Sequence, residues 1–277
     1  IVVIMYLVMN TTNMVILFLI TFVVTVLSTF FIRHVLIDAD ISDSPIVSEH
    51  RHKTGTPTMG GISFLFAILF VVSLFYKNLP ILITSFIMVT GGVMGLLDDL
   101  LGLKVKEYQK VVKNISPDIV QIGILNLGVS EEARITTDKA KKQLEPLLAA
   151  GKLEQVAEIP IKYEPHESVK IIAQFLPGIF LVLTSTVWTL GGFNLGLLAI
   201  PIVIIAVLGC INAVNLIDGM DGLAAGIIAI ASFACGIFCF INGNMEGIAP
   251  FAILFAICLG FLVFNKKKKK IFMGDTG

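Results

Sequence analysis

Residues 195–222 read LGLLAIPIVIIAVLGCINAVNLIDGMDG. Seventeen residues pass without a charged or amide side chain, and then Asn212, Asn215, Asp218 and Asp221 follow within ten. A helix needs about 20 mostly apolar residues to cross the hydrocarbon core of a bilayer. The stretch therefore predicts a membrane span over 195–213 that ends in a polar turn at one surface. Working outward, six more apolar segments qualify or come close: 14–32, 59–76, 80–97, 171–190, 223–241 and 248–264. Pro80, Pro177, Pro201 and Pro250 lie near their starts, where proline is best tolerated. Composition agrees. Hydrophobic residues make up 56% of the 277, charged residues only 14%, against about 25% in a soluble domain. The fold class expected is an all-α polytopic membrane protein of about seven spans with a small cytoplasmic α/β insert. Spans 1–3 and the first cytoplasmic loop occupy 1–103, the insert 104–170, and spans 4–7 with a last loop 171–277.

Charge fixes the orientation. If alternate loops face alternate sides, one side receives 33–58, 98–170, 214–222 and 265–277, with 19 of the 20 lysines and arginines. The other side receives only Lys77. Cytoplasmic loops carry the excess of Lys and Arg, so the first set is cytoplasmic, and the bias survives without the long 98–170 loop. The 20 acidic residues cancel the 20 basic ones, which gives a nucleic-acid partner no support. The opening IVVIMYLVMN lacks the basic start and cleavage site of a signal peptide. It also lacks an initiating methionine, so further residues are expected before it.

Four stretches bring polar chemistry to the cytoplasmic boundary: HRHKTGTPTMGG (50–61), GLLDD (95–99), NAVNLIDGMDG (212–222) and MGDTG (273–277). Each has an ordinary reading. Asp98-Asp99 suits a hydrated helix end, although the helix dipole disfavours carboxylates there and invites a positive partner. Asp218 to Gly222 suits a tight turn; its acids are three apart, unlike a calcium loop. Gly55 to Gly61 lacks the Lys-Ser/Thr of a Walker A loop. Lys266 to Lys270 reads as a positive-inside anchor. Cys210, Cys235, Cys239 and Cys258 sit in spans without a nearby histidine and read as packing residues. Together, though, five aspartates and two asparagines on one membrane face form a hard-oxygen cluster. Such a cluster suits Mg²⁺ shared with substrate phosphates, and Thr, Lys and backbone N–H groups are the usual phosphate partners. A secondary transporter would instead place its ionisable residues near the bilayer midplane.

These four stretches, in this order, resemble the signatures of the polyprenyl-phosphate N-acetylhexosamine-1-phosphate transferases, glycosyltransferase family 4. GTPTMGG and NAVNLIDGMDG are most similar to its phospho-N-acetylmuramoyl-pentapeptide transferase branch. The resemblance implies transfer of a sugar-1-phosphate from a UDP-sugar to a membrane polyprenyl phosphate, with release of UMP, at the cytoplasmic face of the cell membrane. It implies Mg²⁺ held by Asp275 and Asn215, and catalytic roles for Asp98, Asp99 and Asp275. Lys53, Thr58, Asn212, Asn215, Asp218 and Asp221 would bind substrate. The alternative within the resemblance is a UDP-GlcNAc:dolichyl-phosphate GlcNAc-1-phosphate transferase. One-step attack and an aspartyl intermediate both stay open, and a homodimer is compatible with either.

Two departures accompany the resemblance. The family usually has about ten spans and a later histidine-bearing loop, so the 277 residues alone are expected to be inactive. Bacterial members have a short basic link where this chain has about 65 polar residues, as in methanogenic archaeal members. Lys104, Lys106 and Lys110 stand where that link carries lysines. Within the insert, 119–127 and 156–163 read as strands and 136–150 as a helix, capped by Thr136 or Thr137 and stopped by Gly151.

Overall fold

A computed structural model describes residues 2–42, 56–75, 79–162, 167–184, 189–190, 192–266 and 271–277. Helices dominate. The order is α1 (Val2–Asp38), α2 (Ile62–Phe75), α3 (Leu79–Gly102), β1 (Val105–Asn114), β2 (Val120–Ile122), β3 (Leu125–Leu127), β4 (Glu132–Arg134) and α4 (Asp138–Ala149). There follow β5 (Leu153–Lys162), α5 (Glu167–Thr184), the short strands β6 (Thr189–Leu190) and β7 (Phe193–Asn194), α6 (Ala199–Ile217), α7 (Leu223–Ile241) and α8 (Met245–Asn265). The chain divides into two compact units, residues 1–99 with 166–277, and Leu100–Pro165.

Among the described residues, five helical stretches are long and apolar enough to cross a membrane: Asn13–Asp38, Ile81–Gly102, Gly196–Ile217, Leu223–Ile241 and Met245–Asn265. The other two expected spans, the second and fourth, are apolar helices too, shorter over the described residues: Ile62–Phe75 and Ser168–Thr184. Gly60 and Gly61, taken into the second span by composition, are instead consumed by a backbone pairing described below. α1 packs on α2 and α8, and α7 on α8. Their shared core includes Leu17, Phe64, Ile68, Ile253, Ile257 and Phe261, with Phe64 and Phe261 edge to face at 5.1 Å.

α1 buries a polar stripe in this packing. Thr21, Thr25 and Thr29 are fully buried one turn apart. Thr21 and Thr25 return their hydroxyls to the carbonyls of Leu17 and Thr21 at 2.7 Å. Thr29 donates to Ser63 Oγ at 2.9 Å. Small residues let membrane helices approach closely, since lipid tails give no hydrophobic drive to association. Gly260 shows how close: a Cβ there would sit 2.9 Å from Thr25 Cβ.

The second unit is a three-stranded antiparallel sheet, order β4-β1-β5, with the β2-β3 hairpin and α4. β1 pairs with β5 along its length, from Val105↔Lys162 to Asn114↔Leu153. Val112, Val120, Ile122, Leu127, Ile135, Ala140, Leu144 and Leu153 form its own core. The strand assignment expected for this segment is corrected in two places. Residues 119–127 are two strands, not one, because Gly123 turns the chain at φ +62°. β1 carries lysines and glutamate rather than an apolar alternation, so no local pattern marks it; its strand state comes from pairing with β5. The helix begins one residue beyond Thr137, whose hydroxyl accepts from the Ala140 amide, and Gly151 follows it at φ +65°.

With a core of its own, the second unit has what a small domain needs. Residues 100–165 expressed alone are expected to unfold cooperatively on heating. A featureless circular-dichroism melt would show instead that this segment borrows its order from the rest of the chain.

Candidate active site

Residues 271–277 pass between Gly60-Gly61 and Gly95 of α3. Gly60 N–H donates to Phe272 O at 2.8 Å and Gly61 N–H to Met273 O at 2.7 Å, while Phe272 N–H donates to Pro57 O at 2.8 Å. A Cβ on Gly61 would lie 2.1 Å from Gly277 N, and one on Gly95 would lie 1.9 Å from Asp275 O. No other residue fits at either position without backbone displacement. Gly274 turns the segment at φ +74°, and Ile271, Phe272, Met273 and Thr276 are buried. Three of the four sequence motifs thus meet: the GTPTMGG glycines, GLLDD on α3, and MGDTG.

Asp98 and Asp99, adjacent in sequence, do different work. Asp99 accepts from the backbone amides of Asp275 at 3.1 Å and Thr276 at 2.9 Å, and from the Thr276 hydroxyl. Both of its oxygens are therefore occupied in holding the MGDTG segment. Asp98 faces a cation: Lys170 Nζ lies 2.6 Å from its Oδ2 and 3.9 Å from Asp275 Oδ2. Asp98 Oδ1 is buried and receives no hydrogen bond among the described residues. Such an oxygen costs folding free energy unless something else occupies it.

Asp275 lies beside this pair. Burial, then a hydrogen bond shared with Asp98 and the charge of Asp99, push its carboxyl up to about 7; Asn215 pulls the other way. Asn215 Nδ2, near the end of α6, donates to Asp275 Oδ1 at 2.6 Å. Near neutral pH this position therefore calls for a proton or a cation. Mg²⁺ takes one or two carboxylates and completes its shell with water and substrate phosphates. The orphaned Asp98 oxygen, the Asp275 carboxylate and the Asn215 amide are a hard-oxygen set of that kind. Among the described residues no group of three or more His, Cys, Asp or Glu side chains is placed to hold a metal ion, so the protein's share of such a shell is small and substrate oxygens would supply the rest. The residues fit Mg²⁺.

The remaining candidates are placed as follows. Asn212 sits one turn before Asn215 on α6, and its Nδ2 donates to Gln174 Oε1 and to Leu208 O, both at 2.8 Å. Asp218 caps the end of α6, its backbone amide on Val214 O and Asn215 O. Asp221 is exposed in the turn before Gly222. Gly222, at φ +68°, donates its amide to the buried Asn265 Oδ1 at 3.0 Å, and Asn265 Nδ2 donates to Ile271 O at 2.9 Å. That amide ties the DGMDG turn to the MGDTG segment. Thr58 is half-buried beside Met59, and Lys53 lies outside the described residues. Lys104 follows α3, and Lys106 and Lys110 belong to β1.

Sequence reasoning assigns Lys170 to the insert and misses its place in the site. One signal for it exists. Lys170 is the last charged residue before an apolar run, and Gln174, four residues on, shares its helix face.

The family model of glycosyl transferase family 4 matches residues 78–277, from the start of α3 through the MGDTG segment. This chain belongs to glycosyl transferase family 4. It is 53% identical over 264 residues to a provisionally named phospho-N-acetylmuramoyl-pentapeptide-transferase of Methanothermobacter thermautotrophicus, covering 94% of this chain and 74% of that protein. Phospho-N-acetylmuramoyl-pentapeptide-transferases of Citrifermentans bemidjiense and Streptococcus pneumoniae are 31% and 29% identical, over 85% and 83% of this chain. The chain spans 58% of the length of each of these two bacterial family members.

Proposed function

We propose that the protein transfers a sugar-1-phosphate from a UDP-sugar to a membrane polyprenyl phosphate, releasing UMP and leaving a lipid-linked sugar diphosphate. The observation that carries this reading is the cluster of Lys170, Asp98 and Asp275, one cation beside two carboxyls that lie close enough to share a proton. A donor diphosphate and an acceptor phosphate repel each other. Lys170 offsets that repulsion and draws both into one site. Asp98 Oδ1 is placed to accept a proton from, or orient, the attacking phosphate. Asp275 and Asn215 would hold Mg²⁺, with Asp98 left to the attacking phosphate. Bound there, the ion would supply shielding of the diphosphate and stabilisation of the leaving UMP. Asp99 keeps Asp275 in place by holding its backbone. The asparagines and aspartates of NAVNLIDGMDG, with Lys53 and Thr58, would bind the donor.

The positive-inside bias supports a site on the cytoplasmic face of the cell membrane, where nucleotide sugars are soluble and polyprenyl phosphate is reached from the bilayer. The names of the relatives support a muramoyl-peptide-type sugar and a role in cell-wall precursor synthesis. The test is UMP release by the full-length protein in detergent with polyprenyl phosphate and Mg²⁺. UDP-GlcNAc and UDP-muramoyl-pentapeptide are offered separately. Release with the muramoyl donor, abolished by EDTA, is the expected result. Release with UDP-GlcNAc alone would move the enzyme to glycoprotein-type precursors, and release with neither donor would sink the transferase reading.

A further inference from the structure

Between Ile171 and Leu183 α5 carries one polar side chain, Gln174, and from Ala199 to Ile211 α6 carries no charged or amide side chain before Asn212. These two amides pair with each other: Asn212 Nδ2 donates to Gln174 Oε1 at 2.8 Å. A lone amide in an apolar span is costly unless another helix satisfies it. What distinguishes this pair from ordinary interhelical glue is where its two helix faces lead. One turn from Gln174 on α5 stands Lys170, whose ammonium reaches Asp98 at 2.6 Å and Asp275 at 3.9 Å. One turn from Asn212 on α6 stands Asn215, whose amide reaches Asp275 at 2.6 Å. The side chains close a circuit. α5 and α6 are bridged once through Asp275, by Lys170 and Asn215, and once more a turn deeper, by Gln174 and Asn212. A further turn along α5, a Cβ on Gly178 would lie 3.4 Å from Ile204 Cα, so the two helices remain in close approach beyond the amide pair.

We propose that Gln174 is a positioning residue of this site: its amide fixes the rotation and spacing of α5 against α6, so that Lys170 and Asn215 reach Asp275 together. The proposal rests on the transferase reading for its kinetic consequence. Its structural consequence stands apart from that reading. Gln174 acts here as an acceptor. A side chain of similar length without an acceptor releases Asn212, and one that keeps an acceptor does not. Catalytic groups displaced by about 1 Å can lose 10²-fold in rate, so a partial loosening is expected to cost about tenfold.

Two variants and one cross-link decide it. In the full-length enzyme, Gln174→Met is expected to lower kcat about tenfold, to leave KM for the UDP-sugar within about twofold, and to raise the Mg²⁺ concentration needed for half-maximal rate. Gln174→Glu, which retains an oxygen acceptor, is expected to recover most of kcat. The cross-link is a Gly178→Cys, Ile204→Cys pair, scored by mass of the joined peptides. Gly178 Cβ would lie 3.7 Å from Ile204 Cβ, within the range of about 3.5–4.5 Å that a disulfide spans. It should form readily with Gln174 present and more slowly in the Met variant. An unchanged kcat in Gln174→Met overturns the proposal, whatever happens to thermal stability. A raised KM with kcat intact overturns it too, since the loss would then lie in donor binding and not in the placing of Lys170 and Asn215. Equal cross-linking rates overturn it without reference to activity. A wild-type enzyme that cross-links as expected but releases no UMP would instead refute the transferase reading and leave the helix clamp standing.

Discussion

Asp98→Asn is expected to reduce UMP release by about 10²- to 10⁴-fold, the range lost with a general acid or base, while labelled UDP-sugar still binds. The reason lies in the two oxygens of Asp98. Oδ2 is neutralised by Lys170 at 2.6 Å, and Oδ1 is buried without a donor among the described residues. The amide keeps the shape but removes the charge that opposes Lys170, and it cannot take a proton from the acceptor phosphate. Asp99→Asn is expected to fail differently. Its oxygens accept the Asp275 and Thr276 amides and the Thr276 hydroxyl, and an amide nitrogen in place of one oxygen would face those donors. Activity should fall together with thermal stability in that variant. The check is a side-by-side measurement of UMP release, donor binding and melting temperature for both variants. An Asp98→Asn enzyme with more than a tenth of the wild-type rate would reduce Asp98 to a structural ion-pair partner.

Gly95→Ala is expected to abolish activity while the helices remain intact. The new methyl would sit 1.9 Å from Asp275 O and 2.4 Å from its carbonyl carbon. Both are backbone atoms, which cannot rotate away as a side-chain tip can. Either α3 shifts or the MGDTG segment lifts off, and lifting carries Asp275 away from Asp98 and Lys170. Overpacking of this kind typically costs about 1–3 kcal/mol, and misplacing one catalytic carboxylate costs about 10²-fold or more in rate. Gly102→Ala is the control. Nothing lies within 4 Å of a Cβ there, and alanine favours the helix by about 1 kcal/mol over glycine, so its rate should match wild type. Equal rates for the two variants would show that the segment is not pinned where its backbone contacts place it.

Part of the site is legible in the order of residues along the chain. An aspartate pair at the end of an apolar run, an Asn-Asp-rich turn and MGDTG are assigned to one membrane face by charge asymmetry alone, because parity and the positive-inside bias depend only on sequence. The five long apolar helices are legible for the same reason: length and hydropathy are local properties. Gly60 and Gly61 are harder. The missing Lys-Ser/Thr argues against a Walker A loop but leaves these glycines without a purpose, and only the hydrogen bonds to Phe272 and Met273 show that they admit a backbone. The insert is legible in outline, yet β1 escapes, since a charged strand is specified by its partner across the sheet rather than by its own pattern.

Composition and spacing along the chain suffice to mark this as a membrane protein, to predict one face for its polar loops, and to name the residue types expected there. Tertiary structure alone decided how two neighbouring aspartates divide their work. It turned Asp99 to the amides of Thr276 and Asp275, and Asp98 to Lys170, seventy-two residues later in the chain and beyond a separately folded unit. It also paired Gln174 with Asn212 between helices. The physical reason is common to all three. A carboxylate or amide is satisfied by whichever donor or acceptor the packing brings within about 3 Å, and no pattern local to the chain encodes that neighbour.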